Sequence, residues 1–282
     1  MFDERTLSGD LAAVRDEHAP GAVVFDVERD FETLDPAVAE QLGLRAESLD
    51  PLEYDPEWIP EDAPEVLHRL ASGTFTIGAP GDGGVTWTRQ TVPPSVFVKP
   101  RLEGSPSGFV DFLLATALVE TGAELEGGAQ LPEAFLGFFG ETYRELAAAT
   151  PLSPTDTYQL ANALYEGYKG LVTRETFAGW VDDYPNLHAE WIDAGERLEP
   201  RLDGLSREVA TGETSFAAAA ELACSAIRHV DETDDGGTVT IPAPFAALDT
   251  TAYAHHGPSY AVRWAEKTFA ALADDESDRT TG

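Results

Sequence analysis

Cysteine is almost absent from this chain. Cys224 is the only one in 282 residues. That excludes an intramolecular disulfide and any zinc site built from cysteines. Lysine is nearly as scarce: Lys99, Lys169 and Lys267 are the full set, and every other basic residue is Arg. Against 18 Lys+Arg stand 51 Asp+Glu, a formal net charge of -33. This balance leaves no basic footprint for a phosphate backbone and disfavours an anionic membrane surface, so neither nucleic acid nor membrane is expected as a partner. Long apolar runs are missing as well. No stretch reaches the roughly 20 apolar residues of a spanning helix, and Met1 to Arg5 shows no basic segment leading into an apolar one. No signal peptide is expected, and the chain reads as soluble and cytoplasmic.

What is present is a dispersed acidic chain with enough apolar material to fold. Asp and Glu occur along its whole length among 43% hydrophobic residues, whereas an acidic disordered chain lacks that apolar fraction. Such a composition, with so little Lys, resembles cytosolic proteins of extreme halophiles. As a whole, the chain resembles haloarchaeal families of unknown function. The resemblance is one of composition and transfers no site residue.

The most apolar stretch is Gly108 to Val119. Read as a helix, it places Phe109, Phe112, Leu113 and Ala117 on one face and Val110, Leu114 and Leu118 on another. A helix apolar all round is buried. Ser105-Pro106-Ser107 supplies its start and Thr121-Gly122 its end. Asp111, its one charge, is expected in the first turn, where it would complement the helix dipole.

Strand patterns precede this helix. Ala22–Val27, Thr74–Ile77, Val85–Arg89 and Ser95–Lys99 read as strands, and Gly81 to Gly84 as a hairpin turn between the second and third. Helical patterns follow it: Leu131–Thr150, a capped start at Ser153-Pro154-Thr155-Asp156, a short helix from Thr173 to Trp180, a helix opened by Pro185, Ser215–Val230 and Ser259–Leu272. Thr238–Ile241 reads as a late strand that returns to the earlier sheet. The expected fold is α+β and predominantly helical, a small antiparallel β-meander packed against a helical array. Residues 1–104 form an N-terminal part and 105–273 the array, as two domains or one continuous one. Residues 274–282 are expected to be a disordered acidic tail.

No catalytic or cofactor motif is complete. His188-Ala189-Glu190 is half of a zinc deaminase signature that also needs a Cys pair. The Glu-x-x-His spacing of Glu65 and His68 occurs once, where a dimetal bundle needs it twice. The Gly78 to Gly84 run sits between strands, unlike a phosphate loop, which opens a helix. Cys224 reads as a small buried hydrophobe. No cofactor and no metal are therefore expected. The candidate catalytic residues are His255 and His256, as base or ligand, and Asp111. Tyr158, Tyr165, Tyr168 and Trp180, with the rare cations Arg144 and Lys169, are candidates for binding a ligand or partner.

Two functional readings follow. The first is a non-catalytic cytosolic protein that works through a helical interaction surface. The second is a small-molecule-binding protein or enzyme with a Tyr-lined pocket between the central helices.

The acidic surface carries a prediction. Dispersed carboxylates repel in dilute buffer but are screened at molar salt, where the Debye length is ~3 Å. Circular dichroism should show loss of structure on dialysis from molar KCl to about 10 mM. An unchanged spectrum would count against the halophile reading.

Overall fold

The computed structural model describes residues 1–30, 33–76, 83–230 and 239–281, with the backbone alone for 275–281. Its strands are β1 (Phe2–Arg5), β2 (Val23–Val27), β3 (Thr33–Leu34), β4 (Ser48–Leu49), β5 (Phe75–Thr76), β6 (Val85–Thr88), β7 (Thr91–Val92) and β8 (Ser95–Val98). The helices up to the midpoint of the chain are α1 (Asp10–His18), α2 (Pro36–Gln41), α3 (Glu65–Leu70), α4 (Ser107–Gly122), α5 (Phe135–Phe139) and α6 (Thr142–Ala148). Beyond it come α7 (Pro154–Ala178), α8 (Pro185–Leu202), α9 (Leu205–Thr211), α10 (Phe216–Ala226) and α11 (Thr251–Thr281). The chain divides into two compact units. The first comprises Met1–Asp55, Val66–Ala134 and Glu175–Asp193; the second comprises Pro56–Glu65, Phe135–Arg174 and Ala194–Gly282.

The first unit is built on a four-stranded sheet in the order β1-β2-β8-β6. β2 and β8 run parallel, with Phe25 opposite Phe97, and the two outer pairings are antiparallel. Strand alternation sends Phe25, Val27 and Phe97 into one core with Phe2, Leu44 and Phe75. The Phe25 and Phe97 rings stack at 5.9 Å. Cross-strand register puts Val24, Val96 and Trp87 in one row, and from that row the Trp87 indole donates to Glu120 of α4 at 2.9 Å. The sheet is thus covered on both faces, which is why β2 and β8 are mainly apolar, with Asp26 the one charge among them.

Helix α4 starts and stops where the sequence places it, and residues 114–121 are all buried. Its far end is pinned in two ways. Arg89 donates to the Thr121 carbonyl at 3.1 Å and also to the Leu131 carbonyl. A methyl group on Gly122 would lie 1.6 Å from the His18 carbonyl oxygen, so α1 and α4 touch backbone to backbone there. Glu133 braces β6 by accepting from the Thr88 hydroxyl and the Arg89 amide, both at 2.7 Å.

The second unit is helical. Its core includes Phe135 in ring contact with both Tyr143 and Tyr158, and Phe138 against Tyr165 and Tyr168 at 5.1 and 4.6 Å. α7 opens with the expected box: the Ser153 hydroxyl accepts from the Asp156 amide at 3.2 Å and donates to its carboxylate at 2.6 Å. Ser215 caps α10 by accepting from Ala218 at 3.1 Å. Gly167 lets Cys224 approach to 3.2 Å from where a Cβ would stand.

Several expectations are corrected. The sheet is not an antiparallel meander. Phe75–Thr76 pairs with Thr33–Leu34, not with Val85–Thr88, and β2 joins β8 in parallel. A parallel partner needs a long crossover, and residues 28–94 provide one that local pattern cannot reveal. Ile77 and the Gly78 to Asp82 part of the expected hairpin lie outside the described residues. β1 was not anticipated, because Asp3 and Glu4 break its apolar pattern. The helix expected over Leu131–Thr150 divides into α5 and α6 at Gly140, whose φ of 53° only glycine adopts freely. Thr173 caps nothing: it lies inside α7 and its hydroxyl donates to the Lys169 carbonyl at 2.7 Å.

The late strand does not form over 239–241, where Val239 and Ile241 are buried without ladder pairing. Pro242 and Pro244, which lack amide protons, follow directly. Thr238 and the turn expected over 231–237 are outside the described residues. α11 begins earlier than expected, breaks at Gly257 with φ 48° and ψ -122°, and runs through the expected tail to Thr281, since extending a nucleated helix is easy.

Gly122→Ala should separate α1 from α4, because the obstructing atom is backbone and has no rotamer to move to. A urea titration should show a loss of about 1–3 kcal/mol, with fold content retained.

Candidate functional site

Parallel pairing brings the carboxyl ends of β2 and β8 side by side, with Asp26 opposite Val98. Such ends are where α/β sheets usually bind ligands. Here they open on a groove of two adjoining hollows, about 540 and about 440 Å³, which share Arg5 and Asp111. Val27, Val98, Lys99, Ser105 and Ser107 line the larger; Ser8, Asp10, Gly108 and Glu190 line the smaller. All of these residues belong to the first unit.

Each charged side chain has a local reason for its position. Arg5 ends β1 and reaches across the ladder to Asp26, with Nη2 to Oδ1 at 2.6 Å and Nε to both oxygens at 3.1 Å. Lys99 follows the buried run Val96–Val98 without a break, so its stem is drawn inward and only 1% of it is exposed. Its ammonium lies 3.6 Å from Asp30, whose other oxygen is taken by Arg101. That separation is too long for a hydrogen bond, and Nζ has no hydrogen-bond partner among the described residues. Leaving a buried charged donor unmade costs upwards of about 1–3 kcal/mol. Glu190 of α8 lies on the first turn of α4, with its Oε1 2.1 Å from where a Cβ of Gly108 would be. Glycine at 108 leaves room for that carboxylate, which a Cβ there would push aside, and the amino end of α4 favours it.

Asp111 differs from its expected role. α4 begins at Ser107, so Asp111 falls in the second turn; the cap position is Pro106, with no side-chain cap bond. Burial raises the Asp111 carboxyl above the usual carboxylate range, and Arg5 partly offsets this. The groove as a whole is rich in carboxylates. Asp10, Asp26, Glu28, Glu103, Asp111 and Glu190 face only two cations, Arg5 and Lys99.

The other candidates fall elsewhere. Tyr158, Tyr165 and Tyr168 are buried in the aromatic core of the second unit, with Tyr168 donating to the Ala254 carbonyl at 3.5 Å. Lys169 pairs with Glu166 at 2.6 Å and lies over the Tyr165 ring at 5.4 Å. Arg144 borders a separate hollow of about 320 Å³ with Asp62, Tyr143 and Thr157. Trp180 packs between Phe177 and Tyr184 in the first unit. His255 and His256 sit exposed on the opening segment of α11, ring to ring at 4.9 Å, and Asp249 pairs with Arg174 instead. His188 packs on Trp191, apart from any metal role for Glu190. Burial pushes the Cys224 thiol far up. Among the described residues no three His, Cys, Asp or Glu side chains converge to hold a metal, and no helix is long and apolar enough to cross a membrane.

Fold and groove together define an α+β protein, predominantly helical, with a charged cleft at the parallel edge of a small sheet. The chain belongs to the family of unknown function DUF7089, which it matches over residues 1–272. Comparison with curated proteins and with solved structures finds no match.

Sequence reasoning named Asp111, met Glu190 only as part of half a zinc signature, noted Lys99 as rare and as the end of a strand, and missed Arg5. One signal was available: a lysine that closes an apolar strand in a chain with almost no lysine.

The raised Asp111 carboxyl sets a pH dependence. In the folded state it keeps its proton over a pH interval in which the unfolded chain has released it. Its contribution to stability is therefore present below the ordinary carboxylate value and lost as pH rises through the raised one. Asp111→Asn abolishes that loss. Denaturation midpoints compared from about pH 3 to about pH 7 should show the variant gaining on the parent as pH rises. A constant difference would mean the carboxyl titrates normally.

Proposed function

We propose that this is a small-molecule-binding protein whose ligand occupies the groove beside β2, β8 and the first turns of α4. The buried Lys99 ammonium carries the reading. Lys99 lines the cleft at the strand ends, and its buried ammonium, 3.6 Å from Asp30, has no hydrogen-bond partner among the described residues. The site differs from the Tyr-lined pocket expected between the central helices, whose tyrosines serve as core.

A helical interaction surface has weaker support. The large exposed apolar residues among those described, Met1, Val38, Val92, Val181 and Leu272, come from well-separated stretches of the sequence. The acidic composition supports work in concentrated salt in the cytoplasm, away from nucleic acid.

Lysine scarcity makes the test simple. Protein labelled with ¹⁵N-lysine carries three backbone reporters, Lys99, Lys169 and Lys267. A set of small acids, amines and neutral compounds is titrated in molar KCl. Ligands of the groove should move the Lys99 amide and leave the other two. A Lys99 signal unmoved by every compound would refute the site.

A further inference from the structure

We infer that the second unit carries a binding site of its own: the hollow of about 320 Å³ between α6, the start of α7 and residues 60–63, which takes a compact monocarboxylic acid with an apolar body. It shares no residue with the groove of the first unit. Tyr143 and Arg144 are consecutive on α6, so their side chains leave the helix about 100° apart. Tyr143 turns inward: 1% of it is exposed, and its ring packs on Phe135 at 5.6 Å. Its hydroxyl makes no hydrogen bond with a described residue and is not sealed from solvent, so it opens on the hollow that the residue lines. A phenol held there calls for an acceptor. Burial, with the Asp62 carboxylate nearby, raises it above its ordinary value, so it stays a donor at neutral pH.

Arg144 is exposed on the same lining and pairs with no acid among the described residues. Its planar guanidinium matches a carboxylate, and the phenol can give that carboxylate one further bond. The Thr157 hydroxyl is already shared with Thr150, at 3.3 Å. The walls are apolar and mostly small, with Pro60, Ala63, Ala147 and Leu152 among them, and ask for a hydrocarbon or aromatic body. Asp62 limits the charge. With Arg144 it leaves the lining neutral, so a single negative charge is tolerated and a second is opposed.

The test uses the full chain in molar KCl, labelled with ¹⁵N-tyrosine, the Tyr143 amide being the signal that Tyr143→Phe removes. Benzoate is compared with benzyl alcohol, benzylamine and the dianion phthalate, which share one ring. Benzoate should move the Tyr143 amide and bind about tenfold tighter than the other three. Arg144→Gln should remove that preference and leave benzyl alcohol unchanged, and Asp62→Asn should tighten benzoate and admit phthalate, with circular dichroism checking the fold. Benzylamine or benzyl alcohol binding as tightly as benzoate would overturn the ligand class. A Tyr143 amide unmoved by all four would overturn the site.

Discussion

Glu120 is a carboxylate carried into the apolar interior by the most hydrophobic helix of the chain. The Trp87 indole, projecting from β6, meets it there. A buried charge without a partner is far more costly than the pair, so the register of α4 on the sheet is held by that hydrogen bond as well as by packing. The arrangement continues into Arg89 and Glu133, next along the same strand and loop. Arg89 ties off the carbonyls of Thr121 and Leu131, and Glu133 gathers the donors of residues 88 to 90. These acids and this arginine are scaffold: their oxygens and protons are spent on the backbone and on one another.

The groove lies toward the other end of α4 and works by contrast. There the helix opens on Pro106, which offers no side-chain cap, and Gly108 leaves room for the Glu190 carboxylate beside its first turn. Strand β8 delivers Lys99 into the same space. One helix thus carries a satisfied polar lock near its carboxyl end and, near its amino end, a set of charges whose bonds are not all made. The hydrogen bonds at the locked end of α4 involve none of the groove residues.

The acidic composition bears on this division. A net charge of -33 sets a repulsive background in which every cation is conspicuous. Arg5, Arg101, Arg174 and Lys169 are each bound to a carboxylate within hydrogen-bonding reach. Lys99 is held more distantly, at 3.6 Å. High salt screens exposed pairs most and buried ones least, so the buried Lys99 ammonium keeps more of its attraction to Asp30 than surface pairs keep of theirs.

Local chemistry made a good part of the architecture legible from residues alone. The apolar run named α4 and its ends. The Ser153-Pro154-Thr155-Asp156 box and Ser215 named the starts of α7 and α10, because a cap is a contract among neighbours in sequence. Overall helical α+β character followed from the same patterns. Tertiary structure alone decided the rest. Parallel pairing of β2 with β8 spans a crossover of more than sixty residues in the 28–94 segment, and no periodicity records which strands meet. The division of a long aromatic stretch at Gly140 depended on whether a glycine would turn or stay helical. The groove depended on that pairing, since Arg5, Lys99, Asp111 and Glu190 come from four separate stretches of the chain. Each is an ordinary charged residue in its own neighbourhood. They face one space only because the sheet sets two strand ends together and α4 and α8 close over them.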